Sequence, residues 1–246
     1  MIDEFDRFTL GPDDIHLLRA DLGLPATGWH PLDLPVRWAT DVERNQARER
    51  TWQRLHRTGM ARRDRLAADV EQALRVAAHP ESGLTAFAAL DRNGSILRAR
   101  AVIGQGVGLI LSQDEQNGPV RFEYRSAAAV FAHLIDLIGV VDPHPDPAAV
   151  VASSAEDAEM SFTERADGRD VAGRQRDRAV WAEPRLRVGA FAGFAAERWA
   201  PELKWFDTRR GRRMVYRQGA AVLVSEPADN RVIYRRLVSD LAALRE

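Results

Sequence analysis

The stretch LTAFAALDRNGSILRARAVI, residues 84–103, carries two apolar runs on either side of the polar segment DRNGS. An Asn-Gly pair between such runs is a strong signal for a tight β-hairpin, because both residues tolerate the positive φ angles of the turn. We therefore predict antiparallel strands at 84–91 and 96–103, joined by a turn at 92–95.

Two more strands and a helix follow this hairpin. The GQG segment at 104–106 predicts a second turn, and residues 107–111 and 120–124 predict strands. Ser126 then precedes apolar residues at helical spacing, and Gly139 ends that helix.

The same order of elements returns near the C-terminus. A helix opening at Asp229 follows four predicted strands, at 186–195, 204–208, 212–217 and 221–225. Four strands and a helix thus occur twice, which predicts two related halves, about 1–140 and 141–246. The halves would share one continuous sheet or pack about a pseudo-twofold axis.

Helices and loops are predicted for the remaining segments. Pro12 opens a helix that Gly23 ends, and helices are expected at 41–58 and 64–78. The proline-rich segment 142–147 predicts a rigid loop, and Ala-rich helical sequence follows it. Residues 167–177 are polar and predict a surface or mobile segment.

Composition excludes several classes of protein. Hydrophobic residues make up 45% of the chain and charged residues 29%, which is typical of a folded globular protein. The chain has no cysteine, so disulfides, thiolate catalysis and cysteine metal sites are excluded. A formal net charge of -1 counts against a dedicated nucleic-acid binder. The acidic N-terminus and the short apolar runs favour a soluble, intracellular protein without membrane insertion.

No motif in the chain predicts catalysis. The six histidines include no i, i+4 pair, and there is no Gly-x-Ser-x-Gly elbow. The glycines at 104–108 lead into a strand, whereas a phosphate-binding loop leads into a helix. Asp142-x-His144-x-Asp146 is the one short cluster that could bind a metal, and a solvated linker is the favoured interpretation. We expect no cofactor and no metal.

The stretch WFDTRRGRRMVY, residues 205–216, concentrates arginines around one glycine. Arginines and aromatic residues could bind nucleic acid or a protein partner. The aromatic residues occupy strand positions and the arginines lie at the turn, so a structural hairpin with charges at its tip is favoured. Asp207, Thr208 and Gly211 would form that hairpin.

Four segments resemble the EspG proteins, the cytosolic chaperones of ESX (type VII) secretion systems. They are FTLGPDDIHLLRADLGLP (8–25), WQRLHRTGMARRDRLAADVEQALRVAAHPESGLTAFAAL (52–90), WFDTRRGRR (205–213) and VSEPADNRVIYRRLVSDL (224–241). The resemblance implies an α+β fold with a central antiparallel or mixed β-sheet flanked by helical bundles, as a single domain with two pseudo-twofold related halves.

The resemblance also implies a function. EspG proteins are not enzymes; they bind the PPE tip of PE–PPE heterodimers, keep these dimers soluble and target them to the secretion system. The expected partner is therefore a PE–PPE heterodimer, with no nucleic acid and no membrane insertion, and the unbound protein would be a monomer or weak homo-oligomer. A ligand-binding or enzymatic α+β domain with an unrecognised site remains the alternative.

The family binds its partner through the sheet, the loop of the first meander hairpin and C-terminal helices. By that resemblance, the expected partner-binding residues are Arg92, Asn93, Gly94 and Ser95 in the hairpin loop, and Arg231, Arg235 and Arg236 in the last helix.

Overall fold

The structure, a computed structural model, describes residues 6–91, 93–152, 182–219 and 222–246. Over these residues the fold is α+β, with a large antiparallel sheet and five helices. The chain divides into two compact units, Met1–Thr85 with Ile96–Leu134 and Ala86–Ser95 with Ile135–Glu246.

The first unit holds an antiparallel sheet in the order β1-β7-β6-β5-β4. Its strands are β1 (Arg7–Leu10), the early part of β4 (Ser82–Ala89), β5 (Ile96–Gly104), β6 (Val107–Gln113) and β7 (Val120–Arg125). A short hairpin of β2 (Ala61–Arg62) and β3 (Arg65–Leu66) forms a second sheet. The helices are α1 (Pro12–Asp21), α2 (Asp41–Arg57), α3 (Ala68–Ala78) and α4 (Val130–Asp136).

Helices α1 and α2 are joined through a buried carboxylate. The side chain of Asp14 accepts a hydrogen bond from the backbone N–H of Gly11 at 2.8 Å, which caps the start of α1. The same carboxylate accepts from Thr51 Oγ1 at 2.7 Å and from Arg54, both on α2. One side chain thus caps one helix and orients the next.

The second unit holds a sheet in the order β9-β11-β12-β13-β8, with β10 paired to β9. Its strands are the later part of β4, from Ala86, together with β8 (Ala149–Ala152), β9 (Arg187–Ala195), β10 (Arg198–Trp199), β11 (Leu203–Thr208), β12 (Gly211–Gln218) and β13 (Val222–Pro227). Helix α5 (Asn230–Ala243) is capped by Asp229, whose carboxylate accepts from the backbone N–H of Val232 at 2.8 Å. It packs against β9 and buries Ile233, Leu237 and Leu241.

The predicted α+β class is confirmed, and both sets of four strands and a helix are present. The helix predicted over 64–78 begins only at Ala68, because residues 61–66 pair as the hairpin β2–β3. The Ala-rich sequence after Pro147 begins as strand β8, because β13 offers an edge with which it pairs. The segment 167–177 lies outside the described residues.

Candidate partner-binding surface

The loop between β4 and β5 is exposed and is ordered by its own hydrogen bonds. The Asp91 carboxylate accepts from the backbone N–H of Asn93 at 2.8 Å and of Ser95 at 3.1 Å, and from Ser95 Oγ at 2.6 Å. The hydroxyl of Ser95, followed by these backbone groups, lowers the pKa of Asp91. Gly94 has a φ of +93°, as the turn requires. Of the expected residues, Asn93, Gly94 and Ser95 are exposed, and Arg92 lies outside the described residues.

Two exposed apolar side chains lie on strands of the second unit. Phe87 on β4 is 45% exposed and Val188 on β9 is 36% exposed. A Cβ on Gly189 would lie 2.8 Å from Ala88 Cβ and from Trp205 Cε2, so Ala88 and Gly189 face the core. Because side chains alternate along a strand, Phe87 and Val188 point to the opposite face.

Phe87 and Val188 are not among the residues that we predicted to bind a partner. A signal was present in TAFAAL, where alanines at 86 and 88 flank the phenylalanine. When small residues occupy the buried side of a strand, the large residue between them must lie on the other side. The candidate surface therefore includes part of the sheet as well as the hairpin loop.

Helix α5 presents two of the three arginines expected there. Arg231 and Arg235 are exposed, on the side away from the buried leucines. The guanidinium of Arg236 lies 3.8 Å from the centre of the Tyr216 ring and pairs with Asp240 at 3.1 Å. Arg236 thus holds α5 against β12, whereas Arg231 and Arg235 remain accessible to a partner.

The β4–β5 loop and helix α5 do not form one binding surface. The guanidinium of Arg212 lies 4.8 Å from the centre of the Trp205 ring and donates to Asn230 at the start of α5. Helix α5 therefore begins on the Trp205 face of the sheet, and Phe87 and Val188 point from the other face. The structure provides two candidate surfaces rather than one.

The turn at 208–211 connects β11 to β12. Thr208 Oγ1 donates to the carbonyl of Gly211 at 3.3 Å and accepts from the backbone N–H of Arg210 at 3.1 Å. Gly211 has a φ of +133°, and a Cβ there would lie 2.7 Å from the carbonyl oxygen of Asp142. Only glycine permits this approach of two backbones.

Two arginines that we interpreted as charges at the hairpin tip are buried. Arg212 is 0% exposed, and its guanidinium binds both carboxylate oxygens of Asp207, at 2.7 and 3.1 Å. Asp207 also pairs with Arg187 at 2.7 Å. Arg213 is 1% exposed and donates to Ser225 Oγ at 2.9 Å. Both buried charges are thus hydrogen-bonded within the protein, as burial requires. At the turn itself, the exposed arginines are Arg209 and Arg210.

The segment 142–147 is the predicted loop, and four of its residues are exposed, but it is attached to β12 where we favoured a solvated linker. The backbone N–H of Arg212 donates to the carbonyl of Asp142 at 2.8 Å, and that of His144 donates to the carbonyl of Arg212 at 2.9 Å. Arg213 donates to the carbonyls of Asp146 at 2.9 Å and Pro147 at 3.0 Å. The loop is thus fastened to β12 by its own backbone.

Charged side chains add to this attachment. Arg210 pairs with Asp146 at 2.8 Å and with Glu183 at 3.1 Å, and the hydrogen bonds from Arg210 and the charges nearby lower the pKa of Asp146. His144 is 2% exposed, and burial, assisted by Arg210 and Arg213, lowers its pKa. Within the described residues, no three His, Asp or Glu side chains are grouped so that they could hold a metal.

A model of the EspG family matches residues 12–239 of the chain. A solved structure of the Mycobacterium tuberculosis type VII secretion system chaperone EspG5, in complex with a PE25-PPE41 dimer, is similar with a TM-score of 0.66. The similarity covers 96% of this chain and 95% of that chain, at 16% sequence identity. No curated protein matches the chain. Over the described ranges, no helix combines the length and the apolar character needed to span a bilayer.

Proposed function

The chain belongs to the EspG family, and from this membership we propose that it is a cytosolic secretion chaperone for PE–PPE heterodimers. It binds the tip of the PPE subunit, keeps the dimer soluble and targets it to a type VII (ESX) secretion system. The observation that carries the proposal is the family match over residues 12–239. The similarity to a chaperone solved together with a PE25-PPE41 dimer supports it.

The physical task of such a chaperone is to cover an apolar surface. An exposed apolar patch on a secreted protein promotes aggregation until a partner covers it. Phe87 and Val188 offer an apolar counterpart on the second unit, and Asn93 and Ser95 offer exposed polar groups in the loop that follows β4. An apolar centre with a polar rim is the usual composition of a protein interface.

The binding surface that we propose consists of the 92–95 loop with Phe87 and Val188. Asp91 orders that loop, so the loop loses little conformational freedom on binding. Arg231 and Arg235 of α5 form a second, smaller contact area, and Arg236 positions the helix that carries them. The protein performs no catalysis in this role and needs no cofactor.

The test is co-expression with PE–PPE pairs encoded near this gene, followed by size-exclusion chromatography. We expect a 1:1:1 complex with at least one pair. Failure to form a complex with any such pair would contradict the proposed function.

A matched pair of variants tests the surface. Val188→Glu places a charge in the proposed interface, whereas Val140→Glu places the same charge at a valine that is 85% exposed outside it. We expect Val188→Glu to abolish the complex, because an unpaired charge would be buried on binding, and Val140→Glu to retain it. Retention by both variants would leave the function standing and refute this surface.

A further inference from the structure

The end of α2 and the β2–β3 hairpin concentrate positive charge that partner binding by the second unit does not use. Between residues 50 and 65 there is one acidic residue, Asp64, and there are six arginines: Arg50, Arg54, Arg57, Arg62, Arg63 and Arg65. The chain as a whole has a formal net charge of -1. The excess of positive charge is therefore confined to this segment, and the rest of the chain carries the compensating negative charge.

Most of these arginines face solvent without a carboxylate. Arg54 pairs with the buried Asp14. In the part of the chain that the structure describes, Arg50, Arg57, Arg63 and Arg65 are exposed and form no ion pair. Some exposed arginines elsewhere are paired, as Arg7 is with Glu123 and Arg210 with Asp146. Others, such as Arg209 and Arg217, are exposed without an ion pair among the described residues, so the segment 50–65 differs in how many such arginines it brings together.

The scaffold holds these side chains in place. Residues Ala61 and Leu66 pair across the hairpin, as do Arg62 and Arg65, so the last two lie side by side on one face. The ring of His56 on α2 hydrogen-bonds the carbonyl of Ala61 at 3.2 Å, which fixes the hairpin beside the helix end. The charges are thus carried by α2, by the paired strands β2 and β3, and by the two-residue turn at Arg63 that joins these strands. We call residues 50–65 the α2–hairpin surface.

We propose that the α2–hairpin surface docks an acidic segment of a second protein. The planar guanidinium group of arginine binds carboxylates through two parallel hydrogen bonds, which suits Asp and Glu side chains. The surface belongs to the first unit, and the loop and α5 residues belong to the second. Docking at this surface uses none of the residues of the proposed PE–PPE surface.

Two other anionic partners fit the surface less well. A lipid surface also needs apolar side chains that insert beside the charges, and none of the exposed large apolar residues lies between 50 and 65. Single-stranded nucleic acid needs exposed aromatic rings for stacking. The one aromatic side chain of this segment apart from His56 is Trp52, which is half-buried and packs near the His56 ring at 5.9 Å.

The experiment measures fluorescence anisotropy of a labelled deca-glutamate peptide with the full chain at low salt. The test variant carries Arg57→Glu, Arg63→Glu and Arg65→Glu. The control variant carries Arg121→Glu, Arg209→Glu and Arg217→Glu, which changes the net charge equally at exposed arginines elsewhere. We expect the test variant to bind at least about tenfold more weakly than the unaltered chain, and the control less than about threefold more weakly.

Equal weakening by both variants would overturn the proposal, because general electrostatic attraction would then explain the binding. Tighter binding of a single-stranded DNA oligonucleotide, or of vesicles containing phosphatidylserine, than of the peptide would also overturn it. If the triple variant does not fold, Arg57→Glu and Arg65→Glu are measured singly, and each should weaken binding about twofold or more. PE–PPE complex formation by the test variant separates this outcome from the proposed function, since we expect that complex to persist.

Discussion

The β11–β12 turn and the α2–hairpin surface are both rich in arginine, yet they use it in opposite ways. Arg212 and Arg213 are buried, with their hydrogen bonds made to Asp207, Ser225 and backbone carbonyls. Arg57 and Arg63 are exposed and form no ion pair among the described residues. A run of arginines therefore indicates neither a partner nor a structural role until the acceptors around it are known.

We expect the largest effect on stability from removing the carboxylate that binds the buried Arg212. Asp207→Ala leaves Arg212 buried without its carboxylate and removes the partner of Arg187. We expect the free energy of unfolding to fall by about 3 to 5 kcal/mol, measured by chemical denaturation. Asp64→Ala, at an exposed carboxylate of the α2–hairpin surface, is the control and should change it by less than about 0.5 kcal/mol. Equal effects would refute the distinction between the two regions.

We expect a smaller loss of stability when the close backbone contact at the β11–β12 turn is disturbed. Gly211→Ala would place a methyl group 2.7 Å from the carbonyl oxygen of Asp142, at a φ of +133°. We expect a loss of about 1 to 3 kcal/mol and exposure of the 142–147 loop to hydrogen exchange. Gly219→Ala is matched, because Gly219 also has a positive φ but no atom within 4 Å of an added Cβ. It should cost less and leave the exchange of that loop unchanged.

The attachment of this loop should also depend on pH. Burial, with help from Arg210 and Arg213, lowers the pKa of His144 below its ordinary value of 6.5. The folded state thus binds fewer protons at this site than the unfolded state, so the stability from neutral His144 is complete above pH 6.5 and declines as pH falls. Denaturation curves between pH 7.5 and pH 5.5 measure this decline. His144→Gln should flatten the profile in that window, and an unchanged slope would contradict the assignment.

The smallest effect on stability is expected at the exposed arginines. Arg57→Ala with Arg63→Ala and Arg65→Ala removes charges that no described carboxylate balances. We expect the free energy of unfolding to change by less than about 0.5 kcal/mol per site. A large loss would mean that these side chains are structural and would remove the contrast with Arg212 and Arg213.

Local signals in the sequence predicted most of the strands and helices. The Asn-Gly turn at 93–94 and the glycines at 104–106 each join the predicted pair of strands, since turn geometry depends on residues only two or three apart. The segment 61–66 was missed because its two strands have two residues each, too short for a periodic pattern. No local pattern marks Val188, because which face of its strand is covered depends on distant elements; for Phe87 the flanking alanines are the one local signal.

The amino-acid sequence by itself determined the order of strands and helices, the absence of cysteine chemistry and the resemblance to EspG proteins, because these depend on composition and on near neighbours. Only the tertiary structure decided which charged side chains are buried against acceptors and which are exposed. Arg213 finds acceptors at Asp146 and Pro147, more than sixty positions away, and His144 is buried because β12 binds its loop. The free-energy cost of burying a charge is offset only by hydrogen-bond acceptors and opposite charges that the fold brings together. No local sequence pattern predicts where in the chain those groups are.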